Sequence, residues 1–248
     1  MIIDPLLKYA SQHESLDPEF VRIYGLDKRT CSEAAARASF EYLQKAAEDG
    51  SAFAMCACSR LYQNGWGCRK SGEEAYNWAQ RAAAVGYAPG FYEVGRCYEE
   101  GIGVPTSIEH ALDNYEAAID AGFGFSAYHL ALMYQAGKMG ACNMNRALFF
   151  AKKAHELGES MATLDIAKWY EHGTGVAQDD GEAVAWYEKA SELGNFFASS
   201  RLSNAYSLGE LDLPRNLKMA AYYRNLSLKH LSFSESGVVP PGPPDISH

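Results

Sequence analysis

The chain has 248 residues, 48% hydrophobic and 21% charged, which excludes wholesale disorder and allows one large domain or two small ones. With 22 Lys+Arg against 31 Asp+Glu the formal charge is −9, so phosphate backbones and anionic lipid surfaces are poor default partners. Six cysteines, at positions 31, 56, 58, 68, 97 and 142, are too few and too irregular for a disulfide framework and read as reduced thiols.

From Met1 to Ser15 the sequence has neither a basic start nor a long apolar run. It carries Asp4, Pro5, Lys8, His13 and Glu14 instead. No secretory signal and no bilayer span are expected, and the expected location is cytoplasmic, with delivery by a signal-independent secretion system left open. Residues 1–50 read as an N-terminal segment with a degenerate hairpin. Asp17 and Pro18 supply N-cap and N1 for a short Phe20–Gly25 helix, and Thr30-x-x-Glu33 caps a helix that runs to Asp49.

From residue 51 the chain repeats itself. Gly50, Gly86, Gly122, Gly158 and Gly194 are each 36 apart, as are Tyr62, Tyr98, Tyr134, Tyr170 and Tyr206, and Gly65, Gly101, Gly137, Gly173 and Gly209. Ala54, Gly90, Ser126, Ala162 and Ala198 form a small column; Cys58, Val94, Leu130, Ile166 and Leu202 form an apolar one. Each unit reads as two helices. The first, Ala52–Gln63 in unit one, carries its stripe at Ala54, Cys58, Leu61 and Tyr62 and stops at Gly65. The second starts at a recurring N-cap, Ser71, Ser107, Asn143 and Asp179, with capping boxes to Glu74 and Glu182. In the fifth unit Arg215 stands at the cap column, behind Pro214.

Five units follow, 51–86, 87–122, 123–158, 159–194 and 195–230. Residues 231–248, rich in proline, read as a disordered tail that could serve as a linear motif. A single hairpin cannot bury its apolar face, so neighbours must stack on one another. The expected fold is all-α, an α-solenoid of antiparallel helix-turn-helix repeats.

The residues Tyr98-x-x-Gly101-x-Gly103-Val104, Tyr170-x-x-Gly173-x-Gly175-Val176 and Trp186-Tyr187-x-Lys189-Ala190-x-Glu192-x-Gly194 carry a resemblance. The chain resembles the Sel-one-like repeat family, relatives of the tetratricopeptide repeat, well over 51–230 and loosely over 17–50. Met139 and Leu211 depart from the pattern at the second loop glycine, so those two loops should take a different path. The resemblance implies a right-handed superhelix acting as an adaptor for other proteins.

The sequence holds no H-E-x-x-H, G-x-S-x-G, S-x-x-K or Walker A signature. Gly101-x-Gly103 and Gly173-x-Gly175 join helix to helix, not strand to helix, and so do not read as phosphate loops. His129 and His172 are the histidines placed nearest a functional surface. Cys56 and Cys58 diverge by roughly 200° on one helix and cannot share a metal locally. No cofactor and no enzyme activity are expected. The rival reading is a ligand- or metal-binding protein or enzyme with a loop-edge site at Cys56, Cys58 and Cys68.

Opposite the packing stripe, each first helix presents a second face. In tetratricopeptide-like solenoids that face lines a concave groove. Here it carries Phe53 and Arg60, then Tyr92 and Arg96, then Phe125, Tyr128 and Leu132, then Leu164 and Lys168, then Phe197. Aromatic anchors beside basic groups have the composition of binding hot spots. These residues are the candidate contacts for a protein or peptide partner with acidic or C-terminal carboxylate groups, bound by a monomeric chain. The competing use of the same side chains is packing against a neighbouring first helix or the N-terminal segment.

Overall fold

The computed structural model describes residues 4–13 and 32–232. Among these residues the secondary structure is helical throughout: α1 (Pro5–His13), α2 (Glu33–Glu48), α3 (Ala52–Asn64), α4 (Gly72–Ala84), α5 (Ala88–Glu100), α6 (Ile108–Asp120), α7 (Gly124–Gln135), α8 (Met144–Glu156), α9 (Ser160–His172), α10 (Asp180–Glu192), α11 (Phe196–Leu208) and α12 (Leu217–Ser232). The chain is an all-α solenoid of helix-turn-helix repeats. It divides into two compact units, Met1–Ser126 and Ala127–His248. The Phe20–Gly25 helix, the Thr30 cap, Cys31 and the tail beyond Ser232 lie outside the described residues.

The repeat columns become the core. Ala54, Ser126, Ala162 and Ala198 are fully buried, as are Cys58, Leu130, Ile166 and Leu202. Small side chains in the first column let each first helix approach the second helix of the preceding repeat closely. At Gly90 a Cβ would lie only 2.5 Å from the Ala83 nitrogen.

Local chemistry sets the helix ends. The second helices start where the side chains of Ser71, Ser107, Asn143 and Asp179 accept from the backbone N–H three residues on. Each of these cap residues donates its own N–H to the carbonyl of the recurring tyrosine, Tyr62, Tyr98, Tyr134 and Tyr170, at 3.0–3.1 Å. That bond closes the loop between the paired helices. In the fifth repeat the loop is one residue longer, so the cap is Asn216 and not the Arg215 position. Asn216 N–H donates to the Tyr206 carbonyl at 2.8 Å, and its side chain accepts from the N–H groups of Lys218 and Met219.

The second loop glycine has a steric role. Gly103 holds φ +73°, and a Cβ there would stand 2.2 Å from the Gly72 carbonyl oxygen, at the start of the preceding second helix. The two loops without this glycine do take different paths. In one the left-handed residue moves to Gly140, φ 112°; in the other Leu211 and Asp212 themselves sit at φ 56° and 53°.

Two N-terminal features differ from the sequence expectation. Helix α2 is capped by Ser32, whose hydroxyl accepts from the Ala35 N–H. Residues Pro5–His13 form helix α1, which no periodicity argument picks out because nine residues hold too few turns.

Candidate partner-binding face

In the first unit the second face of the first helices is largely covered. Phe53 and Tyr92 are buried, Phe125 is half-buried, and the edge of Phe125 meets the Tyr92 ring with centroids 5.4 Å apart. Phe53 belongs to a cluster with Leu6 and Ala10 of α1, Leu43 and Ala47 of α2, and Tyr87. Phe53 and Tyr92, expected to point at a partner, are therefore core side chains. The reason is α1, which lies on this face, together with ring-on-ring packing among Tyr92, Tyr115 and Phe123.

Arg60 and Arg96 converge on one carboxylate. Glu93 is 0% exposed; Arg60 Nε donates to its Oε1 at 2.5 Å, and Arg96 approaches its Oε2 at 3.5 Å. Arg60 Nη1 also donates to both carboxylate oxygens of Asp4, each at 2.9 Å. Arg96 continues to Glu100 at 2.9 Å. The two arginines are thus tied into a largely buried ion network, 13% and 24% exposed, and do not project freely. Burial works against the charge on Arg96, yet Glu93 and Glu100 more than offset it and push its pKa up.

The second unit is more open. Leu132 and Phe197 are exposed, Phe197 by 58%, and Lys168 is 46% exposed. Lys168 pairs with Asp165 at 3.2 Å, and the other Asp165 oxygen accepts from the Tyr128 hydroxyl at 2.9 Å. Tyr128 is half-buried, and Leu164 is buried and so packs instead of facing a partner. Glu171 accepts from Arg201 at 2.6 Å and from the Tyr187 hydroxyl. Burial pushes the Glu171 pKa up, but the Arg201 and Tyr187 bonds outweigh it and hold the carboxyl below its ordinary value.

Sequence reasoning missed the counter-charges. Glu93, Asp165 and Arg201 occupy one repeat column, and Glu93 and Asp165 each stand three residues before a base, Arg96 and Lys168. The i,i+3 pairing was the available signal. The Asp4–Arg60 pair spans 56 residues and left none.

The loop-edge cysteines have no site character of the rival kind. Cys56 and Cys58 are buried, and Cys68 is half-buried against the same core as Trp66. Burial, with Cys68 and Glu48 nearby, pushes the Cys58 thiol up to about 12, so it stays protonated at neutral pH. Among the described residues no group of His, Cys, Asp and Glu is arranged to hold a metal, and no helix is long and apolar enough to cross a membrane. His172 sits in the last turn of α9.

The Sel1 repeat model matches the sequence at 33–51, 52–87, 92–123, 124–159, 160–195 and 197–223, in register with the helix pairs. The chain belongs to the Sel1 repeat family. A Sel1 repeat protein from Oxalobacter formigenes superposes with TM-score 0.62 at 22% identity, covering 90% of this chain and 92% of that one. The c5321 protective antigen of uropathogenic Escherichia coli, displaying an SLR fold, superposes with TM-score 0.59 at 30% identity over 77% of this chain. This chain spans 40% of that antigen's length. The immunity protein Pa5087 from Pseudomonas aeruginosa gives 0.55 at 20% identity, with 93% of each chain covered. No curated protein matches in sequence. Sel1 repeat proteins generally mediate protein–protein interaction and are generally non-catalytic scaffolds.

Proposed function

We propose that this Sel1 repeat chain is a non-enzymatic adaptor that captures a protein segment on the second face of its first helices. The observation that carries the reading is in the second unit. There Leu132 of α7, Lys168 of α9 and Phe197 of α11 are each exposed, on three successive first helices. Water-facing helix surfaces are ordinarily charged, so an exposed Leu132 in the same repeat column as Lys168, with Phe197 exposed two turns earlier on its own helix, supports a surface kept for a partner. Apolar contacts to Leu132 and Phe197 would supply most of the affinity. Lys168 would select a carboxylate and speed association, because charge complementarity acts chiefly on specificity and on-rate.

The test is partner capture by the full chain carrying Leu132→Asp with Phe197→Asp. Both side chains are exposed, so melting should stay within a few degrees of wild type while capture is lost. Lys168→Glu should weaken capture and flatten its salt dependence. Lys153→Glu, on a second helix, should leave it intact. Capture unaffected by the Leu132 and Phe197 changes would move the recognition surface elsewhere.

A further inference from the structure

Helix α1 does, within the chain, what a partner is expected to do. The Asp4 side chain accepts from the N–H of Leu6 at 2.9 Å, which caps α1, and the same carboxylate receives Arg60. Leu6 and Ala10, one turn apart, are fully buried among α2 and α3. Tyr9, between them, places its ring edge-on to Tyr87 and Phe123, with centroids 5.6 and 5.5 Å apart. Helix α1 thus reaches α3, the head of α5 and the residue before α7. A terminal cap of a solenoid would cover the outer side of the last helix; α1 lies along the first-helix face instead.

The attachment rests on few side chains. Leu6 and Ala10 are buried, Leu7 and Tyr9 are partly buried against the same core, and the last three residues, 11–13, are exposed. A helix this short does not persist in water once undocked, so docking and folding of α1 are one event. Helix α1 lies outside the matched Sel1 repeats, which begin at residue 33, yet belongs to the same chain as the face it covers, so it acts there at high effective concentration.

We propose, on the reading that the first-helix face binds protein segments, that α1 is a displaceable intramolecular occupant of the first unit's face. The partner that replaces it is a helix of another protein with the same chemistry: an N-cap carboxylate for Arg60, a Leu two residues on, then an aromatic and a small residue in the next turn. The pattern is Asp-x-Leu-x-x-Tyr-Ala. A carboxylate fits this place because Arg60 Nη1 donates to both oxygens of Asp4, beside the bond from its Nε to the buried Glu93. Charge-assisted pairing of this sort, at the edge of an aromatic surface, discriminates against a helix that starts with a neutral or basic residue.

The test titrates a fluorescein-labelled peptide of residues 1–13 into the full chain, comparing wild type with Asp4→Lys, Leu6→Asp. The double variant, its own α1 released, should bind the peptide about ten-fold or more tighter than wild type, where the tethered helix competes. A peptide bearing Asp4→Lys should lose about ten-fold or more on the same variant. Equal binding to both proteins, or no binding to a double variant that melts like wild type, overturns the proposal.

Should the double variant fail to fold, amide hydrogen exchange of the wild-type chain decides. Amides of α1 should exchange about 100-fold or more faster than those of α3 and α5, because α1 opens locally. Equal protection in all three helices would make α1 fixed core and overturn displacement. A wild-type dimer in sedimentation, lost on Asp4→Lys, Leu6→Asp, would assign the face to α1 of a second copy and overturn the heterologous partner. The Leu132 and Phe197 variants lie in the second unit, so they test the adaptor reading separately.

Discussion

A carboxylate that is 0% exposed must be matched by donors, and Glu93 is matched by two arginines from neighbouring repeats. Arg60 and Arg96 were expected from the sequence to reach for a partner's carboxylates, and they do hold carboxylates, but those of Glu93, Asp4 and Glu100. The residue types announced the chemistry. Their spacing could not announce that the acceptors belong to the same chain, since Asp4 is distant in sequence. Charge reversal at Arg60 should therefore act on folding. Arg60→Glu leaves Glu93 beside a second carboxylate in a buried site and should cost about 3–5 kcal/mol, the range for breaking a buried ion pair. Arg60→Gln combined with Glu93→Gln should recover much of that loss, because the fully buried carboxylate is then gone, while the more exposed Asp4 and Arg96 keep water and Glu100 respectively. Urea midpoints of the three proteins check this; an Arg60→Glu midpoint equal to wild type would mean the network is solvated.

Helix pairs were the most legible element. Their starts were written in the caps Ser71, Ser107, Asn143 and Asp179, and their ends in glycines such as Gly65, which holds φ +67° as the C-cap of α3. Misreadings arose where length was against the pattern. A one-residue insertion moved the fifth cap to Asn216, and a nine-residue α1 offered no period to detect. Within the pairs, the recurring tyrosine holds the second helix against the first. Tyr134 of α7 stacks on Phe150 of α8, centroids 5.5 Å apart and planes 5° apart, while Arg146 lies over its ring and donates to its hydroxyl at 3.3 Å. Tyr206 and Tyr223 repeat the stack in the last pair. Tyr134→Ala should destabilise the second unit by about 3–5 kcal/mol, as for large-to-small aromatic truncations. Thermal melting reads this directly, and a melting curve coincident with wild type would contradict the packing role.

At the scale of the whole molecule, a solenoid of Sel1 repeats obtains its stability from neighbours and leaves one face of each first helix to be covered or used. In the first unit the chain covers that face itself; in the second, Leu132, Lys168 and Phe197 remain at the surface. The sequence marked the face as unusual but treated all five repeats alike, because a column holds no information on what crosses it. The adaptor claim is tested most directly by site-specific photo-crosslinking in the cells that express the protein. A photoreactive residue at position 197, on the first-helix face, is compared with one at 149, on a second helix; the native side chains are equally accessible, 58% and 56%. Position 197 should give a covalent adduct with one defined protein, and position 149 should give none. An adduct from position 149 alone, or no adduct from position 197 while the protein remains folded, would contradict the account.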